Sequence, residues 1–149
     1  GKGGQGKAVY AAKRGTYDKD GTSFRAGVPG SDKEIGFRLP CGEKSMRVFV
    51  FEAPIDLMRY CTLHRSVEDS AVALCGLYEG PLDSYLRDYP QLRRIDLCLD
   101  ADGPGRETAN RLKEKYAAQG YAVAVHTPPR GKDWNEFLQL RQKCRGQER

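Results

Sequence analysis

An α/β architecture, a sheet of about four parallel strands flanked by helices and preceded by a small β-rich segment, follows from three features of the 149-residue sequence. Four short runs, RVFVF (47–51), AVALC (71–75), IDLCL (95–99) and YAVAV (121–125), are aliphatic or β-branched and mainly apolar on both faces. That is the texture of parallel strands covered on both sides. Segments of helical periodicity separate and follow them. Residues 1–45 read differently, holding ten of the seventeen glycines among short apolar touches and turn signals such as DKDG and VPGSD.

The elements can be justified in chain order. Val9 and Tyr10, Phe24, and Ile35, Phe37 and Leu39 are brief apolar stretches between turns, the pattern of small antiparallel strands that could not stand alone. After RVFVF, Ile55, Met58 and Thr62 share one helical face, as do Leu57, Cys61 and His64. Leu82, Tyr85, Leu86 and Tyr89 fall at i, i+3, i+4 and i+7 and are stopped by Pro90. Ala109, Leu112 and Tyr116 mark a third helix, with Pro104 suited to its first turn and Gly120 to its end. Phe137, Leu138 and Arg141 begin a shorter last one. Strand–helix alternation of this kind implies right-handed crossovers and a parallel sheet covered by helices. The expected organisation is a glycine-rich basic β/loop segment (1–45), a principal domain (46–143) and a basic tail (144–149).

Composition narrows the function classes. With 39% hydrophobic and 30% charged residues, the chain reads as a soluble globular protein. No apolar run has the length needed to span a bilayer, and no signal-peptide pattern opens the sequence. Five scattered cysteines without a CxxC read as reduced thiols in a cytoplasmic protein, against a disulfide framework or zinc site. The net charge of +5 is uneven. Residues 1–45 carry nine Lys/Arg against five Asp/Glu, residues 46–138 twelve against fourteen, and residues 139–149 four against one. Basic flanks suit phosphate backbones, and an acidic centre suits a divalent cation.

In open parallel sheets, sites form beyond the carboxyl ends of the strands. Glu52 follows RVFVF, with Asp56 four residues on. Asp100 and Asp102 follow IDLCL. Asp133 lies in HTPPRGKDWNEF, which follows YAVAV. Three of four strand ends thus deliver carboxylates to one edge, an arrangement that is costly unless the charges are paired or bound to metal.

These segments also carry a family likeness. FEAPID (51–56), LDADGPGRETA (99–109) and RGKDWNE (130–136) resemble, in order, the three signature segments of the Toprim domain. Bacterial primases, type IA and type II topoisomerases and several nucleases share that domain. The resemblance implies a compact Rossmann-like α/β sheet, Glu52 at the first strand end, and a magnesium-binding DxD at Asp100 and Asp102, with Asp133 as a further acid. Asn135 departs from the pattern, standing where primases often carry Asp. The stretch RGTYDKDGTSFRAGVPGSDKEIGF (14–37) resembles the segment preceding Toprim in uncharacterised proteins of bacterial mobile elements.

The residue chemistry suits that expectation. Magnesium, or manganese in its place, takes a few carboxylates and keeps several waters, so Asp100, Asp102 and Glu52, with Asp56 and Asp133 in support, form a reasonable donor set. Glu52 could serve as general acid or base in phosphodiester chemistry. Lys132 and Arg106, and more weakly Arg130, are candidate phosphate contacts beside a glycine turn that opens a helix. The expected function is magnesium-dependent primer synthesis or strand cleavage on DNA or RNA, within a larger mobile-element protein whose other domains are its partners. The alternative is a non-catalytic nucleic-acid-binding or assembly module with the same fold.

Other features point less clearly. GKGGQGKA matches GxxxxGK, but Ala8 follows the lysine and no strand precedes it, against a P-loop. His64 and His126 lack metal-ligand spacing and read as surface or capping residues. Trp134 suits either base stacking or packing over the last helix.

Overall fold

The computed structural model describes residues 6–19, 22–63 and 70–147; His64, expected on the first helix, lies outside them. The first two strands, β1 (Ala12–Lys19) and β2 (Thr22–Gly27), pair as an antiparallel hairpin with a register shift between Arg14 and Asp18. A two-residue strand, β3 (Phe37–Arg38), leaves this region to join the main sheet. There follow β4 (Arg47–Phe51), α1 (Pro54–Leu63), β5 (Ser70–Ala73), α2 (Gly80–Asp88), β6 (Arg94–Cys98), α3 (Gly103–Ala118), β7 (Ala122–Val125) and α4 (Trp134–Gln147).

The main sheet has five strands in the order β3-β5-β4-β6-β7. Strands β4 to β7 are mutually parallel, as expected, and β3 adds an antiparallel edge along β5. The alternation of Ile35, Phe37 and Leu39 marked a small strand here but not the sheet it joins, which is why sequence pattern gave four strands for this sheet. The chain steps from β4 to β5 in one direction and then returns across β4 to β6 and β7. The strand order therefore reverses between β4 and β6, and the crevice beyond their carboxyl ends is the topological switch point.

Alternating side chains sort to the two faces. Val48, Val50, Val72, Leu74, Ile95 and Leu97 bury one face under α2 and α3, packed on Leu82, Tyr85, Ala109, Leu112 and Tyr116. Phe51, Ala71, Ala73 and Cys98 face Leu57 of α1 and Trp134 of α4. Helices on opposite faces follow from right-handed crossovers that run in opposite directions. One strand departs from expectation: β7 is an edge strand whose residues are half-buried or exposed, because its outer side has no strand neighbour among the described residues.

Helix ends match their signals. Tyr89 N–H closes α2 on the Tyr85 carbonyl just before Pro90, Pro104 sits in the first turn of α3, and Gly120 adopts a φ of 91° after its end. No described helix is long and apolar enough to cross a membrane.

Candidate functional site

The buried strand β6 runs through Leu99 into a tight turn at Asp100–Asp102. Asp102 is extended (φ −79°, ψ 177°) and caps α3, its Oδ1 accepting the Gly105 N–H at 2.8 Å. Gly105 is required here by contact, since a Cβ at that position would lie 2.2 Å from the Asp100 carbonyl oxygen. Arg106 folds back and donates from Nη1 to the Ala101 carbonyl at 2.5 Å. Ala101 N–H, between the two aspartates, donates to the Lys132 carbonyl at 2.7 Å and fastens the turn to the loop before α4.

Asp100 is the electrostatic centre. Burial, and then the negative charges of Glu52, Asp56, Asp133 and Asp102, push its carboxyl up to about 7. Its Oδ1 is buried and has no hydrogen-bond partner among the described residues. The carboxylates expected at three strand ends thus act together on one aspartate. Glu52 follows β4, with its main-chain carbonyl accepting the Gly76 N–H at 3.1 Å. Asp56, in the first turn of α1, is only 3% exposed.

Asp133 has a second occupation. Its Oδ1 accepts the Glu136 N–H at 2.7 Å, capping α4, while Glu136 Oε2 accepts the Lys132 N–H at 2.8 Å. Arg106, Arg130 and Lys132 are exposed on the segments that border the acidic turn. Trp134 is buried: its Nε1–H donates to the Cys98 carbonyl at 3.2 Å, and its ring meets Tyr60 and Phe137 edge-on. Packing, rather than base stacking, accounts for this residue.

Among the described residues, no three His, Cys, Asp or Glu side chains are already drawn together as a metal cage. The donor set nonetheless fits a hard cation. Magnesium needs only one or two carboxylates and fills its remaining positions with water or phosphate oxygens. A buried carboxylate oxygen lacking a partner, surrounded by like charge, is the kind of group such an ion satisfies.

Sequence pattern missed Asp96, in the middle of β6. It is fully buried, takes Arg94 Nε and Nη2 at 2.9 Å each, and lies 2.6 Å from His126 Nε2. Burial alone would raise its pKa, but Arg94 and His126 more than offset this and hold it below the usual carboxylate range. The available signal was Arg94 two residues earlier, on the same strand face.

Comparison with known proteins adds four findings. A family model described as Toprim-like matches residues 49–138. No curated protein matches the chain. Among solved structures, the primase fragment of the bacteriophage T7 primase-helicase protein superimposes with a TM-score of 0.60 at 21% identity, over 97% of this chain and 57% of that one. A T7 lagging-strand DNA polymerase complex, with primase domains bound to an RNA/DNA hybrid and dTTP, matches at a TM-score of 0.46 and 24% identity, over 68% of this chain and 50% of that one. The chain thus spans somewhat over half the length of the T7 primase fragment.

Proposed function

The chain belongs to the Toprim-like family, and from that premise we propose that its acidic strand ends bind magnesium, or manganese, for phosphodiester chemistry on DNA or RNA. The observation that carries this reading is Asp100, whose buried Oδ1 has no hydrogen-bond partner among the described residues and which lies in the field of Glu52, Asp56, Asp133 and Asp102 at the switch point between β4 and β6. Asp100 and Asp102 would hold the ion with Glu52, and Asp56 and Asp133 would tune its charge from the rim. A bound divalent cation supplies charge neutralisation for phosphate oxygens. Arg106, Lys132 and Arg130 steer the backbone to the turn, where the amino end of α3 also favours phosphate. Glu52 accepts or returns the proton of a reacting hydroxyl or leaving oxygen.

The chain's activity would be primase-like nucleotidyl transfer or strand cleavage, exercised within a larger DNA-processing protein of a bacterial mobile element. Incubating the protein with single-stranded and duplex nucleic acid, nucleoside triphosphates and magnesium tests this. Extended or cleaved product that disappears with chelator and in Glu52→Gln supports it; product indifferent to both contradicts it. The second reading is a non-catalytic nucleic-acid-binding or assembly module with the same fold. It requires nucleic-acid binding that is unchanged by chelator, with no turnover.

A further inference from the structure

The start of α4 is capped in an unusual way. Asp133 Oδ1 accepts the Glu136 N–H at 2.7 Å, and the Asp133 carbonyl accepts the Phe137 N–H at 3.1 Å, so Asp133 is the cap. In the ordinary capping box, the glutamate three residues into the helix returns to the N–H of the cap residue itself. Glu136 reaches one residue further back, and its Oε2 accepts the Lys132 N–H at 2.8 Å. Gly131, at a φ of 82°, turns the chain beneath it. A Cβ added there would lie 2.9 Å from Glu136 Oε2 and 3.0 Å from its Cγ, so the carboxylate arm lies directly over the glycine. The Lys132 N–H stands outside the helix. The contact to it therefore satisfies none of the first-turn donors that capping serves, and capping alone does not account for it.

What it holds belongs to the acidic turn. The Lys132 carbonyl accepts the Ala101 N–H at 2.7 Å, and Ala101 stands between Asp100 and Asp102. Both main-chain polar groups of Lys132 are thus engaged, the N–H by Glu136 and the carbonyl by the turn. Asp102 is fixed on its other side by the Gly105 N–H at 2.8 Å. The Ala101 amide belongs to the peptide that joins Asp100 to the rest of the turn, so its direction governs how the two aspartates are set relative to each other. A chain of hydrogen bonds of 2.7–2.8 Å accordingly runs from Glu136 through Lys132 to the middle of the DxD.

We propose that Glu136 is a positioning residue, which sets the Asp100–Asp102 turn by holding the Lys132 main chain that the turn is bonded to. This rests on the reading of Asp100 and Asp102 as metal ligands. The test compares wild type with Glu136→Asp and Glu136→Gln in manganese titrations followed by electron paramagnetic resonance, together with amide hydrogen exchange. Aspartate keeps the charge but is one methylene too short to reach Lys132; glutamine keeps the reach with an uncharged acceptor. Both leave Asp133 to cap α4, so both variants fold. Glu136→Asp is expected to bind manganese about tenfold more weakly, the scale of losing a supporting contact behind a ligand. Its Ala101 amide should exchange about tenfold faster, since the opening is local. Glu136→Gln should stay close to wild type in both. A role confined to capping would leave the Ala101 amide unmoved, and unchanged Ala101 exchange in Glu136→Asp would overturn the proposal. So would a Glu136→Gln variant as weak as Glu136→Asp, since charge and not the hydrogen bond would then matter. Equal manganese affinity in wild type and Glu136→Asp would also overturn it while leaving the metal reading intact. If wild type bound no manganese, the metal reading would fail. Ala101 exchange would then decide the positioning by itself, faster in Glu136→Asp alone supporting it and unchanged overturning it.

Discussion

At Asp100, burial and the neighbouring carboxylates act in the same direction, both disfavouring the ionised form. Its folded pKa of about 7 lies above the unfolded value of about 3.9. The native state therefore holds the extra proton between those values, and this residue's contribution to stability falls as pH rises from about 4 to about 7. Asp100→Asn, nearly isosteric and never charged, is expected to exceed wild type in metal-free stability by about 1–3 kcal/mol at pH 8. The gap should narrow towards pH 4.5, as read from urea midpoints at the two pH values. An equal gap at both would mean that Asp100 does not titrate as the geometry requires. The turn beside it makes a steric prediction. Gly105→Ala drives a Cβ into the Asp100 carbonyl and should cost about 2–4 kcal/mol. Gly103→Ala, with open space around its Cβ, should cost far less in the same denaturation series.

At the scale of elements, two ionic arrangements hold the helices and strands in register. Glu79, just before α2, takes both Arg111 guanidinium nitrogens at 2.8 and 3.0 Å, and Lys115 bridges it to Asp83, so α2 and α3 are joined across their solvent edge. The Arg111 hydrogen bonds hold Glu79 down at about 2. A depressed carboxylate contributes stability above its unfolded pKa and loses it as pH falls through the folded one. Glu79→Gln should therefore cost about 1–2 kcal/mol at pH 7, discounted for the exposed Arg111, and progressively less between pH 4.5 and 2. Thermal melts of both proteins across that range measure it; a cost independent of pH would point to packing. Inside the sheet, Asp96 joins β6 to β7 through His126. Asp96→Ala removes the acceptor that Arg94 and His126 share, but both of those side chains are about half exposed and return to water, so the variant is expected to lower the chemical-unfolding midpoint only modestly.

Across the whole molecule, strands β4 to β7 and the four helices were legible because burial on two faces and helical periodicity leave marks in neighbouring residues. The hairpin and β3 were visible only as texture, since short antiparallel pairs are fixed by what they touch. At the strand ends, Glu52, Asp100 and Asp102 stood out because topology determines where residues after parallel strands go. The caps that Asp102 and Asp133 provide depend on where α3 and α4 begin, and the Asp96–His126 pair joins residues thirty positions apart that no local pattern connects. Magnesium response tests the metal reading most directly. Thermal melts of wild type and the Asp100→Asn/Asp102→Asn double variant should be run with magnesium, with chelator and at matched ionic strength. Asn keeps the cap at position 102, so the fold survives the change. Wild type is expected to gain about 1–3 kcal/mol of stability at saturating millimolar magnesium, while the double variant matches or exceeds it in chelator and gains nothing from the ion. Equal magnesium shifts in the two proteins would show that the DxD is only a turn.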